Sequence, residues 1–327
     1  MKRTLLVALL LAASAAGACS TDGRNDGVKD SSGPVTLHVG DQKAGSQALL
    51  KAAGLLDGTP YTITWSQFTS GPPLLEAVNA GAVDIGGVGN TPPVFAAASG
   101  SKIKVVAAYR QKPNGAAIIV PAGSSITSPA QLKGKKIAVA KGSSAHYHLL
   151  AVLKKDGLSF ADIQPQYLQP ADALAAFSSG TVDAWAIWDP FTSQAEIQNK
   201  ARPLVDGNGY VNGLNFQVAA PAALADPGRR AAIGDFLARL AKAREWSVSH
   251  QSEWAKVWAQ ETGLPPEVAD AAVANAVAVP IAIDDSVVSS EQEIADAFSA
   301  EGLIPGRLTF SDFVDKRFND VVAKAQQ

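Results

Sequence analysis

Short runs of β-branched and aliphatic residues alternate with helical stretches along most of the chain. Runs that alternate apolar and polar positions are typical of strands, whereas apolar residues spaced three or four apart predict helices. This rhythm predicts an α/β fold with mostly parallel strands. Strands are predicted at residues 35–39, 61–65, 83–85, 103–109, 116–120, 135–140, 166–168 and 184–188, and helices at residues 47–54, 74–80, 145–155 and 172–179.

Two segments share one order of elements. Residues 74–85 and 172–185 each contain a helix, a glycine that ends it, and a strand. One copy in each half of the chain favours two similar lobes, although any helix–glycine–strand unit has this appearance. From residue 226 onward the pattern is helical. Trp254 and Trp258 lie four residues apart there, and we expect them to pack in the core rather than stack on a ligand.

Residues 1–19 have the pattern of a bacterial secretory signal that ends at a lipidated cysteine. Two cations precede an apolar run at residues 5–13, and small residues lead to Cys19. The run is too short to cross a bilayer, which needs about 20 apolar residues. We expect residues 1–18 to be removed, Cys19 to be lipidated, and residues 19–33 to tether the protein outside the cytoplasm, in a periplasm or on the outer face of the cell membrane. An ordinary signal peptide with an unrelated cysteine is the alternative.

Composition narrows the classes of function. The formal net charge is −2 and there is no basic run, so charge gives no reason to expect nucleic acid as a partner. Cys19 is the single cysteine, which leaves no internal disulfide and no thiolate metal cluster. The four histidines are scattered, so we expect no metal and no cofactor. A metal role for His146 and His148 is the weaker alternative.

Candidate chemistry lies at predicted helix starts that follow strands. They fall at residues 70–71, 89–91 and 142–144, with a weaker fourth at residues 41–46. In an open α/β sheet such turns gather beyond the carboxyl ends of the strands. Free amides and the helix dipole bind oxyanions there without a formal cation. As a set these starts predict an anion site, although each one alone is equally consistent with plain helix capping.

Six sequence strings carry a family resemblance. They are residues 70–76 (SGPPLLE), 89–95 (GNTPPVF), 132–137 (LKGKKI), 141–147 (KGSSAHY), 168–172 (LQPAD) and 182–190 (VDAWAIWDP). Together they resemble the aliphatic sulfonate-binding proteins, which are extracytoplasmic receptors of ABC import transporters and are related to taurine- and nitrate-binding proteins. The resemblance covers about residues 35–220.

The resemblance implies a two-lobed α/β fold of the type II periplasmic-binding-protein class, with the ligand in a cleft between the lobes. We expect lobe 1 at residues 34–118, lobe 2 at residues 119–213, and a return to lobe 1 with C-terminal helices at residues 214–327. It implies a monomeric receptor, not an enzyme, that delivers an aliphatic sulfonate to a membrane permease and its ATPase for sulfur supply.

The predicted ligand contacts combine hydrogen-bond donors with apolar walls. A sulfonate stays ionised and only accepts hydrogen bonds, so amides and hydroxyls suit it. We expect the apolar tail of the ligand to pack against Trp188, Phe68 and Trp65. The predicted site residues are Gln42, Ser70, Gly71, Asn90, Thr91, Gly142, Ser143, Ser144, His146, Trp188 and Asp189.

Two of these residues leave alternatives open. The family often carries aspartate where this chain has Asn90, so taurine, nitrate or an arylsulfonate stays open as the ligand. Asp189 would repel an anion, and we expect a structural role for it; contact with a ligand amine, as in taurine, is the alternative.

Two other functions are compatible with the sequence. An exported enzyme could use Ser143 with His146 or His148, but residues two apart on a helix point to different faces. A sensory or adhesion module that binds the same ligand also stays open.

Overall fold

Residues 34–325 are described by the structure, which is a computed structural model. The predicted signal peptide, the lipidation site Cys19 and the tether lie outside these residues. Within residues 34–325, no helix is both long enough and apolar enough to cross a membrane.

Strands and helices alternate through the first two thirds of the described chain, and helices dominate the remainder. The strands are β1 (Thr36–Gln42), β2 (Thr62–Phe68), β3 (Ile85–Gly89), β4 (Lys104–Gln111), β5 (Ala116–Val120), β6 (Lys136–Val139), β7 (Gln164–Tyr167), β8 (Ala184–Trp188), β9 (Arg202–Asp206), β10 (Leu214–Ala219) and β11 (Ala278–Ile281). The helices are α1 (Ser46–Ala52), α2 (Gly71–Asn79), α3 (Thr91–Ala98), α4 (Ser144–Lys155), α5 (Pro170–Ser178), α6 (Phe191–Gln198), α7 (Pro221–Ala225), α8 (Pro227–Ser249), α9 (Gln251–Thr262), α10 (Pro266–Ala276), α11 (Asp285–Ala300) and α12 (Asn319–Lys324).

The first sheet has the strand order β11-β4-β10-β3-β1-β2. β1 pairs in parallel with both β2 and β3, and Gly40 lies opposite Gly86. The side chain of Leu74 on α2 lies where a Cβ at either glycine would stand. These two glycines therefore let α2 pack closely against the centre of the sheet.

The second sheet has the order β7-β6-β8-β5-β9. Both faces of β8 are buried, which explains its nearly continuous apolar sequence. Ala184 and Ala186 belong to one buried cluster, whereas Trp185 and Ile187 belong to another on the opposite face. Trp185 is fully buried and lies beside Phe177. The mixed α/β fold with two sheets confirms the predicted fold class.

The pairing of strands differs from the expectation of mostly parallel strands. Pairs among β1, β2 and β3, and among β6, β7 and β8, are parallel, as units of strand, helix and strand require. β5, β9, β10 and β11 form antiparallel pairs. β5 and β10 each follow a segment that passes from one sheet to the other, so no intervening helix sets their direction.

The chain changes sheets at residues 112–115 and again at residues 207–213. β5 lies wholly in the second sheet, so the first change precedes the expected boundary after residue 118. β10, which begins at Leu214, belongs to the first sheet. The C-terminal helices α8 and α9 pack on α1 and β1, which belong to the first sheet's side.

Candidate functional site

A cavity of about 210 Å³ lies at the carboxyl ends of the first sheet's strands. Both segments that cross between the sheets contribute to its wall, as do the end of β8 and the start of α4 from the second sheet's side. All four predicted helix starts reach it, three of them through Gly71, Asn90 and Ser143 and the fourth through residues 41–46. The cavity thus lies between the two halves of the fold.

Two glycines of β3 form part of the cavity floor. A Cβ at Gly87 would lie 2.9 Å from Nε2 of Gln217, and a Cβ at Gly89 would run into Oγ of Ser144. Ser144 belongs to the second sheet's side, so the two halves of the fold touch at this point. Glycine at these two positions of β3 therefore lets the side chains of Gln217 and Ser144 approach the strand at the cavity wall.

Ser143 and Ser144 begin α4 at the cavity wall. Ser143 is buried and caps the helix, because its Oγ accepts a hydrogen bond from the backbone N–H of His146 at 3.3 Å. Ser144 is partly exposed, and its hydroxyl makes no hydrogen bond to any residue of the described chain. Ser144 thus offers a free donor beside the positive end of a 12-residue helix.

The starts of α2 and α3 carry prolines, which limits their amide donors. Pro72 and Pro73 follow Gly71, and Pro92 and Pro93 follow Thr91, within the first turn of each helix. Proline has no N–H, so each start keeps fewer free amides than an ordinary helix.

Asn90 and Thr91 belong to a buried hydrogen-bond network. Thr91 Oγ1 donates to Asn90 Oδ1 at 3.0 Å, and Asn90 Nδ2 donates to Asn212 Oδ1 at 2.8 Å. Asn212 lies in the second crossing segment and donates to Glu291 Oε1 at 2.8 Å. Asn90 lines the cavity, whereas Thr91 is fully buried and does not. The network ties the cavity wall to the crossing segment and to α11.

Glu291 is the buried end of this network. Its Oε2 has no partner within residues 34–325, and its burial raises the pKa of its carboxyl well above the ordinary value, although the bond from Asn212 opposes this shift.

Asp41 occupies the fourth predicted helix start. Its carboxylate accepts backbone N–H groups of Gln42, Ser46 and Gln47 at 2.8–3.0 Å. Burial raises the pKa of Asp41 to about 6, although these bonds and the charge of Arg244 lower it. The chain's own carboxylate thus fills this start. Gln42 lines the cavity, and its Nε2 donates to Gly87 O at 2.9 Å.

Ser70 lies outside the cavity wall. Ser70 Oγ and Thr69 Oγ1 each donate to Gln169 Oε1 at 2.9 Å. Gln169 precedes α5 in the second half of the fold, so these bonds cross between the halves. We call this contact the Gln169 bridge.

His146 and Gly142 also lie outside the cavity wall. His146 is fully buried in an aromatic cluster with Phe95, Phe160 and Phe298. Its Nδ1 accepts the N–H of Gly142 at 3.1 Å. Burial, aided by the charge of Lys141, lowers the pKa of His146 to about 3. A neutral ring held in this way is structural.

Trp188 and Asp189 line the cavity from the end of β8. Asp189 Oδ1 accepts hydrogen bonds from the backbone N–H of Ser193 at 2.9 Å and from its hydroxyl at 2.6 Å. Asp189 Oδ2 accepts a hydrogen bond from Asn275 Nδ2 at 2.8 Å. Burial raises the pKa of Asp189, against these bonds. Asp189 thus binds the first turn of α6 and joins it to α10, as the expected structural role requires.

Several cavity residues were not predicted. Trp254 and Trp258 were expected in the core, and they are buried, but both also line the cavity. Trp65 and Phe68, which were expected to wall the ligand tail, do not line it; the Trp65 ring packs on Phe236 instead, with centroids 6.1 Å apart. The polar wall residues outside the predicted site residues and the predicted helix starts are Tyr109, Gln111, Asn215, Gln217, Arg244 and Asn275, and the predicted fourth start adds Asp41, Lys43 and Ser46.

Within the described chain, no group of three or more His, Cys, Asp or Glu side chains is placed to hold a metal ion. His148 Nε2 lies 2.9 Å from Asp206 O, and burial lowers the pKa of His148 to about 4.

Known proteins match the chain along most of its length. The profile of the NMT1/THI5-like family matches residues 70–250. An aliphatic sulfonates-binding protein of Escherichia coli strain K12 is 38% identical over 281 residues, which span 85% of this chain and 88% of its own.

Two solved structures are similar at comparable identity. The alkanesulfonate-binding protein of Xanthomonas axonopodis pv. citri, bound to MOPS, is 39% identical with a TM-score of 0.81, and the match covers 86% of this chain and 98% of that one. The periplasmic aliphatic sulphonate binding protein of Escherichia coli is 36% identical with a TM-score of 0.77, covering 86% and 92%.

Fold and cavity define the class as two-lobed α/β proteins with the periplasmic-binding-protein fold. The chain belongs to the NMT1/THI5-like family, and its similar relatives there are aliphatic sulfonate-binding proteins. These relatives are named as binding proteins and not as enzymes.

Proposed function

We propose that this chain is the extracytoplasmic binding component of an ABC importer and that its ligand is an aliphatic sulfonate. The observation that carries the proposal is the convergence of helix starts from both halves of the fold on one cavity. The names of the similar binding proteins support the same ligand class.

The chemistry of the wall suits a sulfonate group. A sulfonate only accepts hydrogen bonds, and the free hydroxyl of Ser144 with the first amides of α4 would donate to it. The positive ends of α2, α3 and α4 favour its negative charge, and Lys43 and Arg244 are cations of the same cavity wall. Trp188 would cover the adjoining carbons. Micromolar affinity, about −8 kcal/mol, needs only a few such bonds together with burial of the tail.

Contacts from both halves would couple binding to closure. A ligand that touches Ser144 on one side and Gly71 on the other stabilises the closed state more than the open one. A closed, loaded receptor is the form that a permease would recognise.

A taurine receptor is less favoured. Its amine would need a free carboxylate, but both carboxylates of the cavity wall are bonded within the chain. The oxygens of Asp189 accept hydrogen bonds from Ser193 and Asn275, and those of Asp41 accept three backbone N–H groups.

Calorimetric titration of residues 31–327 tests the ligand class. The panel is ethane-, butane- and octanesulfonate, benzenesulfonate, taurine, nitrate and sulfate. We expect micromolar or tighter binding of at least one alkanesulfonate and none of sulfate. If no alkanesulfonate shows detectable binding, the proposal is refuted.

Lipid anchoring and sulfur supply are tested in cells. Labelled palmitate should mark the wild-type chain but not Cys19→Ala, which should appear in the soluble fraction. Deleting the gene should abolish growth on an alkanesulfonate as the sole sulfur source, whereas growth on sulfate should continue.

A further inference from the structure

Four polar residues of the cavity wall, which we call the inner end, are not used by the proposed function. Tyr109, Gln217, Arg244 and Trp254 all line the cavity. Each has a buried polar atom without a partner in the described chain: Tyr109 Oη, Gln217 Oε1, Arg244 Nε and Trp254 Nε1. Buried polar groups are normally paired, so four such atoms around one cavity point to a bound group.

Arg244 is the strongest donor among them. Its guanidinium lies over the Tyr109 ring, 5.4 Å from the centroid. The hydrogen bond that it makes within residues 34–325 is a long one, from Nη1 to Ala276 O at 3.5 Å. A guanidinium has five N–H donors, so most of its capacity is unused.

The charge of Arg244 is offset locally. The buried carboxylate of Asp41 lines the same cavity and acts on Arg244 electrostatically. A second anionic group at this end of a ligand would meet Asp41 as well as Arg244. An uncharged oxygen would accept hydrogen bonds from Arg244 without being repelled by the Asp41 carboxylate.

Strand geometry separates this end from the helix starts. Ser144 stands against Gly89, whereas Gln217 stands against Gly87. Two residues along a strand span about 7 Å, so one ligand of a few carbons can reach both ends.

We propose that the inner end is a second polar subsite, and that the preferred substrates are sulfonates whose far end carries an uncharged hydrogen-bond acceptor such as a hydroxyl, ether or carbonyl oxygen. Arg244 and Trp254 are its donors. This inference rests on the proposed function, because it takes the sulfonate to lie at the helix starts.

A pair of ligands of matched shape tests it by calorimetry. 4-Hydroxybutane-1-sulfonate and pentane-1-sulfonate differ only by a hydroxyl in place of a methyl group. We expect the hydroxyl ligand to bind about tenfold more tightly, as one added buried hydrogen bond predicts. 4-Sulfobutanoate, which ends in a carboxylate, should bind more weakly than the hydroxyl ligand.

Two tryptophans of α9 provide a matched pair of variants. Trp254 Nε1 has no partner in residues 34–325, whereas Trp258 Nε1 donates to Ala44 O at 2.6 Å. Trp254→Phe should reduce the hydroxyl preference to about threefold or less, and Trp258→Phe should leave the preference unchanged. Arg244→Met should abolish the preference. Thermal melts would identify any variant that fails to fold.

Equal affinity of the wild-type protein for the matched pair would overturn the second subsite but leave the proposed function intact. Tighter binding of 4-sulfobutanoate would overturn the uncharged acceptor. An equal loss of both ligands in Arg244→Met would place the sulfonate itself on Arg244. If no sulfonate shows detectable binding, both the proposed function and this inference are refuted.

Discussion

At the scale of single residues, we expect substitutions of Ser144 and Thr91 to have different effects, one mainly on ligand binding and the other mainly on stability. Ser144 lines the cavity with a free hydroxyl, whereas Thr91 is fully buried and bonded to Asn90. We expect Ser144→Ala to weaken alkanesulfonate binding about tenfold and to shift the free energy of unfolding by less than about 0.5 kcal/mol.

Thr91→Ala should do the reverse, because it removes a buried partner of Asn90. Its free energy of unfolding should fall by about 1–3 kcal/mol, with a smaller effect on affinity. Calorimetry and urea unfolding of both variants check this. Equal effects of the two substitutions on affinity would show that Thr91 contacts the ligand directly.

Glu291 makes stability depend on pH. Burial raises the pKa of its carboxyl in the folded chain, so the folded state holds the proton more tightly than the unfolded state. Above the unfolded pKa near 4.5, the wild-type protein therefore loses stability as pH rises.

Glu291→Gln removes this loss. The variant should match the wild-type protein near pH 4.5 and become more stable by about 1.4 kcal/mol per pH unit above it, up to the folded pKa. Urea unfolding at pH 5 and pH 8 measures the difference. Glu293→Gln, at an exposed position of the same helix, is the control. A constant difference between the two pH values would contradict the prediction.

At the scale of elements, local patterns predicted most strands and helices. The alternation in β2 and the caps of α4 depend on neighbouring residues, so their positions were predicted to within a few residues. Strand direction was not predictable in the same way. β10 runs antiparallel between β3 and β4 because the chain returns from the other sheet, and no local pattern records that path.

In the candidate site, too, features set by neighbouring residues were predictable, whereas features set by the path of the chain were not. The helix starts reached by Gly71, Asn90 and Ser143 were visible in the sequence, because capping residues and prolines mark them. The inner end was not, because Arg244 and Trp254 come from α8 and α9, which are more than a hundred residues away along the chain from the wall residues of β1, β3 and β4. A tryptophan at helical spacing looks the same in a core as beside a cavity.

Gly89 tests the contact between β3 and α4. An added Cβ would collide with Oγ of Ser144, so Gly89→Ala must rotate that hydroxyl or hold the two halves apart. Either outcome should weaken alkanesulfonate binding by about tenfold or more. Gly123→Ala is the control, because a Cβ there meets nothing within 4 Å. Unchanged affinity in Gly89→Ala would mean that the ligand does not need this contact.

At the scale of the whole molecule, the crossing segments and the Gln169 bridge lie at opposite edges of the cleft. The crossing segments connect β4 with β5 and β9 with β10. β9 is the edge strand of the second sheet opposite β7, and β4 lies next to the edge strand β11 of the first sheet, opposite β2. Gln169 follows β7, and Thr69 follows β2, and these two strands are the far edges of the two sheets. A bond at the far edge acts with the greatest leverage on an opening motion about the crossing segments.

Gln169→Ala should therefore favour the open form without removing any residue of the cavity wall. It deletes the acceptor shared by Thr69 and Ser70, and those hydroxyls would then bond to water in the open state. If the closed state loses about 1 kcal/mol, alkanesulfonate affinity should fall by about three- to tenfold. Small-angle X-ray scattering should show a larger radius of gyration for the ligand-free variant, which saturating ligand reverses.

Gln194→Ala removes a bond to Gln198 within α6 and should change neither quantity. An unchanged radius together with unchanged affinity in Gln169→Ala would show that closure depends on contacts nearer the crossing segments, such as the bond from Asn275 to Asp189.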